Sequence, residues 1–216
     1  MVPISRAKTD WALIAAEVSR PVDIRPGVNL IIPASRHPGG VPLCLWALLP
    51  THNHNRRLID FLNGCPTDTF AGHTVVAGIF AADSFLPYAD FVRALARAGI
   101  SRVTNFPTVA AYGARVGETL TDVGLGFERE LQTLCRFRAH GFETATVIRE
   151  VEHKAAIEGD ENFALIELAR SDTQVFSKLF GQKKSVTRLM MTPNATHPKS
   201  GRPPNIDGFV LAPVRH

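Results

Sequence analysis

The sequence predicts an α/β fold built on a parallel sheet, and three observations predict it. An apolar run, Val75–Phe80, leads into a helical pattern in which Phe91, Leu95 and Ala98 recur at spacings of three and four. Ala98-Gly99 closes that helix, because glycine takes a left-handed C-terminal conformation without penalty. A second short run, Ser101–Phe106, follows at once, and a strand–helix–strand unit with short joints has parallel strands. A closed (β/α)8 barrel usually takes about 250 residues, with about 200 near the lower limit. At 216 residues, read as one domain over 1–216, the chain admits a shortened or incomplete barrel and an open doubly wound sheet.

The remaining elements follow in order. Asp10 suits a helix N-cap, so Trp11–Val18 is read as a short helix. Val28–Ile32 is the first compact strand, followed by a loop rich in glycine and proline from Pro33 to Gly40. Val41–Leu49 reads as a strand or a buried helical turn, and Arg57–Asn63 as a helix stopped by Gly64. After Thr108 come a glycine-bearing loop, Ala110–Gly117, and a loop or short helix, Glu118–Gly126. Phe127–His140 is a helix in which Leu131, Leu134 and Phe137 keep the period. Glu143–Ile148, Phe163–Leu168, Val186–Met191 and Ile206–Leu211 are strands, and Val151–Glu158 and Asp172–Phe180 helices. That makes seven strands, and alternation of this kind argues a parallel sheet. A barrel short of one strand exposes edges that proteins usually cover, so a homodimer or higher homo-oligomer is expected.

Composition narrows the function. Hydrophobic residues make up 45% of the chain, and no apolar run approaches the roughly 18–20 residues of a membrane span. The N-terminal stretch has no apolar signal-peptide core, and the three cysteines form neither a CxxC pair nor a disulfide ladder, so a cytoplasmic compartment is expected. The net charge of +4 is mild, and aromatics are not interleaved with the basic residues as in a base-stacking platform. Nucleic acid and membrane are therefore not expected partners; a small anionic substrate suits the positive field.

Three segments carry a family resemblance: AGIFAADSF ending at Phe85, GISRVTNFPTV ending at Val109, and GLGFERE ending at Glu130. In this order and spacing they resemble the phosphoenolpyruvate hydrolase-like family, a TIM-barrel family grouped with isocitrate lyase and phosphoenolpyruvate mutase. The resemblance covers roughly Val28 to Asn162. It implies a TIM-barrel-type (β/α)8-like fold and lyase or hydrolase chemistry on a small 2-oxo or enolisable acid, breaking or forming a C–C or C–P bond. It also implies Mg²⁺. Where family members tend to carry His, this chain has Glu167, and Met191-Thr192-Pro193-Asn194 replaces a segment that usually contains HGG. These departures leave room for a non-catalytic binding or regulatory module on a degenerate barrel.

The candidate residues cluster after strand C-terminal ends, where parallel α/β folds bind ligands. Asp83 follows a strand; its carboxylate serves as acid/base or metal ligand, or as an ordinary N-cap. Asn105 and Thr108 flank Phe106-Pro107 and offer donors to a carboxylate or enolate oxygen, or else tie a turn. Glu128, in the first turn of its helix, reaches back over the barrel mouth or simply complements the helix dipole, with Glu130 facing solvent. Arg36 and His37 follow the first strand and suit an anionic substrate, or form an ordinary loop pair. Glu167 completes the set at the end of its strand. His52 and His54 invite a metal reading that lacks further ligands at strand ends, so a solvated loop is the default.

Overall fold

The computed structural model describes residues 11–15, 24, 27–32, 48, 53–112, 114–148, 163–166, 187–192 and 208–211. The strands are β1 (Trp11–Ala15), β2 (Val28–Ile32), β3 (Thr74–Gly78), β4 (Arg102–Thr104), β5 (Glu143–Ile148), β6 (Phe163–Ile166), β7 (Thr187–Thr192) and β8 (Gly208–Leu211). The described helices are α1 (His54–Gly64), α2 (Tyr88–Ala98), α3 (Ala114–Asp122) and α4 (Phe127–Ala139), with a 3₁₀ turn at Val109–Tyr112. Every strand pairs in parallel with the next in chain order, and β8 pairs back on β1 through Trp11↔Val210 and Ala12↔Leu211.

The chain is thus α/β with a parallel sheet, as its sequence predicts, but the expectation of a missing strand is corrected. The eighth strand is Trp11–Ala15, which the sequence suggests as a helix. A short apolar run does not reveal its own period, and here five residues pair with all of β2. Because the ring closes, the open edge that argued for a homo-oligomer is not there. A second correction falls after Thr108, where the expected loop is a 3₁₀ turn running into α3. The helices expected at Val151–Glu158 and Asp172–Phe180 lie outside the described residues, as does all of Val41–Leu49 except Leu48.

Strand alternation divides the buried side chains into two layers. Ile31, Val75, Ala77 and Val103 face the helices and join Leu58 and Leu62 of α1, Phe91 and Leu95 of α2, and Leu134 and Phe137 of α4 in one core. The alternate residues Leu30, Ile32, Val76 and Thr104 are buried on the other side, inside the ring. Gly99 closes α2 at φ +78° and returns its N–H to Leu95 and Ala96 carbonyls, the expected left-handed cap. Tyr88 locks α2 to α4: its hydroxyl donates to the Arg136 carbonyl at 2.8 Å, and its ring lies 4.7 Å from that of Phe137. Among the described residues no helix is long and apolar enough to cross a membrane.

Gly78 ends β3 where no larger residue fits. A Cβ there would sit 2.7 Å from the Phe106 carbonyl oxygen and 2.8 Å from Ile32 Cγ2. Gly78→Ala should therefore destabilise the fold by about 1–3 kcal/mol. Urea unfolding checks this as a lower midpoint at unchanged slope; an unchanged midpoint would mean that the end of β4 moves aside freely.

Candidate functional site

The C-terminal ends of β3 and β4 are held by side chains from the first turns of two helices. At β3 the holder is Asn55 of α1, which is buried. Its Oδ1 accepts from Phe80 N–H at 2.9 Å, and its Nδ2 donates to the Phe80 carbonyl and to Asp83 Oδ2, each at 2.9 Å. Asp83 is half-buried, and its Oδ1 accepts from Phe85 N–H at 2.8 Å. It does not cap α2, which begins at Tyr88 with Pro87 at the N-cap position. Asp83 instead shapes the loop that carries it and keeps its carboxylate at the strand edge.

At β4 the holder is Glu130 of α4, which is 0% exposed. Its Oε2 accepts from Asn105 Nδ2 at 2.8 Å and from Thr108 Oγ1 at 2.6 Å, and its Oε1 accepts from Val109 N–H at 2.9 Å. Asn105 Oδ1 accepts from Val147 N–H at 2.7 Å, so the amide continues the β4–β5 ladder one step past Thr104. Thr104 faces the interior of the ring, so its neighbour Asn105 faces the helices. That places the Asn105 amide between sheet and α4 rather than over the mouth.

Burial pushes the Glu130 carboxyl up to about 7, while the three donors from Thr108, Asn105 and Val109 pull it down. The arrangement accommodates both protonation states. A carboxylic acid can accept from Val109 and Asn105 while donating its proton to Thr108 Oγ1.

The sequence-predicted residues are therefore distributed differently from expectation. Asp83 stands at the strand edge; Asn105 and Thr108 are 0% exposed and bonded to Glu130. No hydrogen bond or ion pair joins Asp83, Asn105 and Glu128. Glu130, expected in solvent, is buried, while Glu128 is exposed in the first turn of α4. A signal for this was present, because Glu130, Leu134 and Phe137 fall at i, i+4 and i+7 of one helix face. His54 is likewise not in a solvated loop; it opens α1, is buried, and its Nε2 lies 3.3 Å from the Gly78 carbonyl oxygen. Asn55, the residue that orients Asp83, was missed because an amide beside two basic residues carries no sequence signal of burial. Arg36, His37, His52 and Glu167 lie outside the described residues.

Among the described residues no group of three or more His, Cys, Asp or Glu could hold a metal ion. Asp83 retains acceptor capacity beyond its two hydrogen bonds, since a carboxylate offers about four lone-pair sites. That fits a hydrated Mg²⁺, which is usually held by one or two carboxylates and the substrate rather than by a protein cage.

Comparison with known proteins matches residues 33–162 to the family described as phosphoenolpyruvate hydrolase-like. This chain belongs to that family. A relative from Sinorhizobium fredii (strain NBRC 101917 / NGR234), described as uncharacterized protein y4oT, is 35% identical over 128 residues. The match covers 59% of this chain and 64% of the relative, so the chain spans less than two thirds of that protein.

The buried network can be tested through pH and through its amide. Glu130 binds its proton more tightly in the folded than in the unfolded state, its carboxyl standing at about 7 against an ordinary 4.5. Stability should therefore fall as pH rises between those values, by roughly 3 kcal/mol, and stay low above them. Glu130→Gln should remove this slope; it should cost about 1–3 kcal/mol near pH 5, because its NH₂ must face a donor, and the gap to wild type should narrow as pH rises to 8. Urea titrations of both proteins from pH 5 to 8 check this; equal slopes would refute it. Asn105→Ala should cost about 2–4 kcal/mol by stranding Val147 N–H and Glu130, read as a lower thermal midpoint.

Proposed function

We propose that this chain is an enzyme working at the C-terminal edge of a (β/α)8 barrel of TIM-barrel type. The reaction class is lyase or hydrolase chemistry on a small anionic 2-oxo or enolisable acid, with cleavage or formation of a C–C or C–P bond. Family membership supports the substrate class. The observation that carries the placement is Asp83: a half-buried carboxylate fixed at the end of β3 by Asn55 and by Phe85 N–H. Ligands of parallel α/β folds bind at this edge.

Bond cleavage next to a 2-oxo group leaves an electron pair that delocalises as an enolate onto the carbonyl oxygen. The other fragment leaves without that pair, as carbon dioxide or a carbonyl compound after C–C cleavage, or captured by water as phosphate after C–P cleavage. A proton returned to the enolate carbon completes the second product. Asp83 takes or delivers that proton, or holds Mg²⁺, which when bound would stabilise the enolate charge. Arg36 and His37, which follow β2 in the chain, and Glu167, which follows β6, are carried as substrate-binding residues. Glu128 is carried as a rim carboxylate that solvent reaches.

The buried network favours a second reading. Asn105 and Thr108 are bonded to Glu130 rather than offered to an oxyanion. A binding or regulatory module would have the same framework without turnover, since fold alone never fixes chemistry.

Asp83→Asn separates the two. The amide keeps an acceptor for Phe85 N–H, so the fold should survive with a thermal midpoint only a few degrees lower. Turnover of phosphoenolpyruvate, phosphonopyruvate or oxaloacetate by the wild type, with Mg²⁺ present, should fall roughly 100-fold or more in the variant. A wild type that binds such acids in a thermal-shift screen but turns none over would establish the module instead.

A further inference from the structure

The first turn of α4 holds a cation, Arg129, that no described residue pairs with. Arg129 Nε is buried and has no hydrogen-bond partner among the described residues. Arg129 takes part in none of the ion pairs among the described residues. Its acidic neighbours do not serve it, because adjacent residues on a helix point to different sides. Glu130 is taken up by Asn105, Thr108 and Val109, and Glu128 is exposed. Helix stability does not call for an arginine here either, since a cation in the first turn meets the positive end of the helix dipole.

Helix register shows which way Arg129 is turned. Thr133, four residues on, donates to the Ala81 carbonyl at 2.8 Å. Arg136, seven residues on, lies 4.1 Å above the ring of Tyr88. Positions i, i+4 and i+7 share a face, so Arg129 lies on the flank turned toward the loop after β3. Long helical side chains lean toward the helix N-terminus, and the N-terminus of α4 is at the strand C-terminal edge. The same loop carries Asp83.

We propose that Arg129 is the anion-binding residue of this site, its guanidinium taking two oxygens of a carboxylate or phosphoryl group on the small ligand. The planar fork of arginine matches either group. A bound anion supplies the counter-charge, and an oxygen partner, that the described residues do not. This deepens the functional reading above and rests on the Asp83 edge being the site.

Isothermal titration with oxalate and, separately, with inorganic phosphate tests it and distinguishes the planar from the tetrahedral ligand. The wild type should bind at least one saturably. Arg129→Met should weaken that binding at least tenfold, and Arg129→Lys should retain part of it, keeping the charge without the fork. The anion-free thermal midpoint of Arg129→Met should not fall, because a buried unsatisfied donor is removed. Should the Met variant fail to fold, Arg129→Gln must show the same loss of binding. Wild-type binding of neither anion, or undiminished binding in the variants, would overturn the proposal. Turnover is a separate readout. Anion binding lost in Arg129→Met without wild-type turnover leaves this site standing and removes the enzyme reading. Turnover with binding undisturbed in the variant removes this site and leaves the enzyme.

Discussion

A buried carboxylate governs how this fold is joined. Glu130 takes three donors from the exit of β4, two of them side chains and one a backbone N–H. An ionised group in such a place is expensive to desolvate, and its partners would be costly to leave without it. The outcome is geometric specificity. With Glu130 receiving Nδ2, the Asn105 amide must present Oδ1 to Val147 N–H. One helical side chain thereby sets the orientation of an amide on β4 and, through it, the alignment of β5.

A related device works one strand earlier. Asn55, in the first turn of α1, bonds both backbone groups of Phe80 and the Asp83 carboxylate. Thr133 adds a third tie, from α4 to Ala81. The exit of β3 is thus gripped by α1 and α4 and that of β4 by α4, and Asp83 keeps its carboxylate at the edge between them. The opposite end of the sheet is held differently, by the half-buried pair Arg102–Glu143, whose residues face each other across β4 and β5. Polar ties at the C-terminal edge fix loops; the ion pair at the N-terminal edge fixes strand register.

The segments that most specifically resemble the family, NFPTV and GLGFERE, are the ones that build the Glu130 network. Membership in the phosphoenolpyruvate hydrolase-like family and the chemistry of this chain are therefore separate matters. The family stretch accounts for how β4, β5 and α4 fit together. Under the proposals made above, reactivity rests on two other residues of the same stretch, Asp83 and Arg129, that this network does not use.

Local periodicity was enough for the helix Tyr88–Ala98, its glycine stop and the parallel pairing of β3 with β4, because each depends on residues close in the chain. The placement of Asp83 after a strand was legible for the same reason. Trp11–Ala15 was not, since five apolar residues fit a helix or a strand equally, and its partners lie both in β2 and, near the other end of the chain, in β8. Nor was the choice between Glu128 and Glu130. Two residues apart, they point to nearly opposite sides of a helix, and a carboxylate by itself favours water. Only the packing of α4 on the sheet, with Leu134 and Phe137 inward, turned Glu130 toward three unsatisfied donors. Burial of a charged group is decided by partners that other segments bring, and those partners come together only in the folded chain.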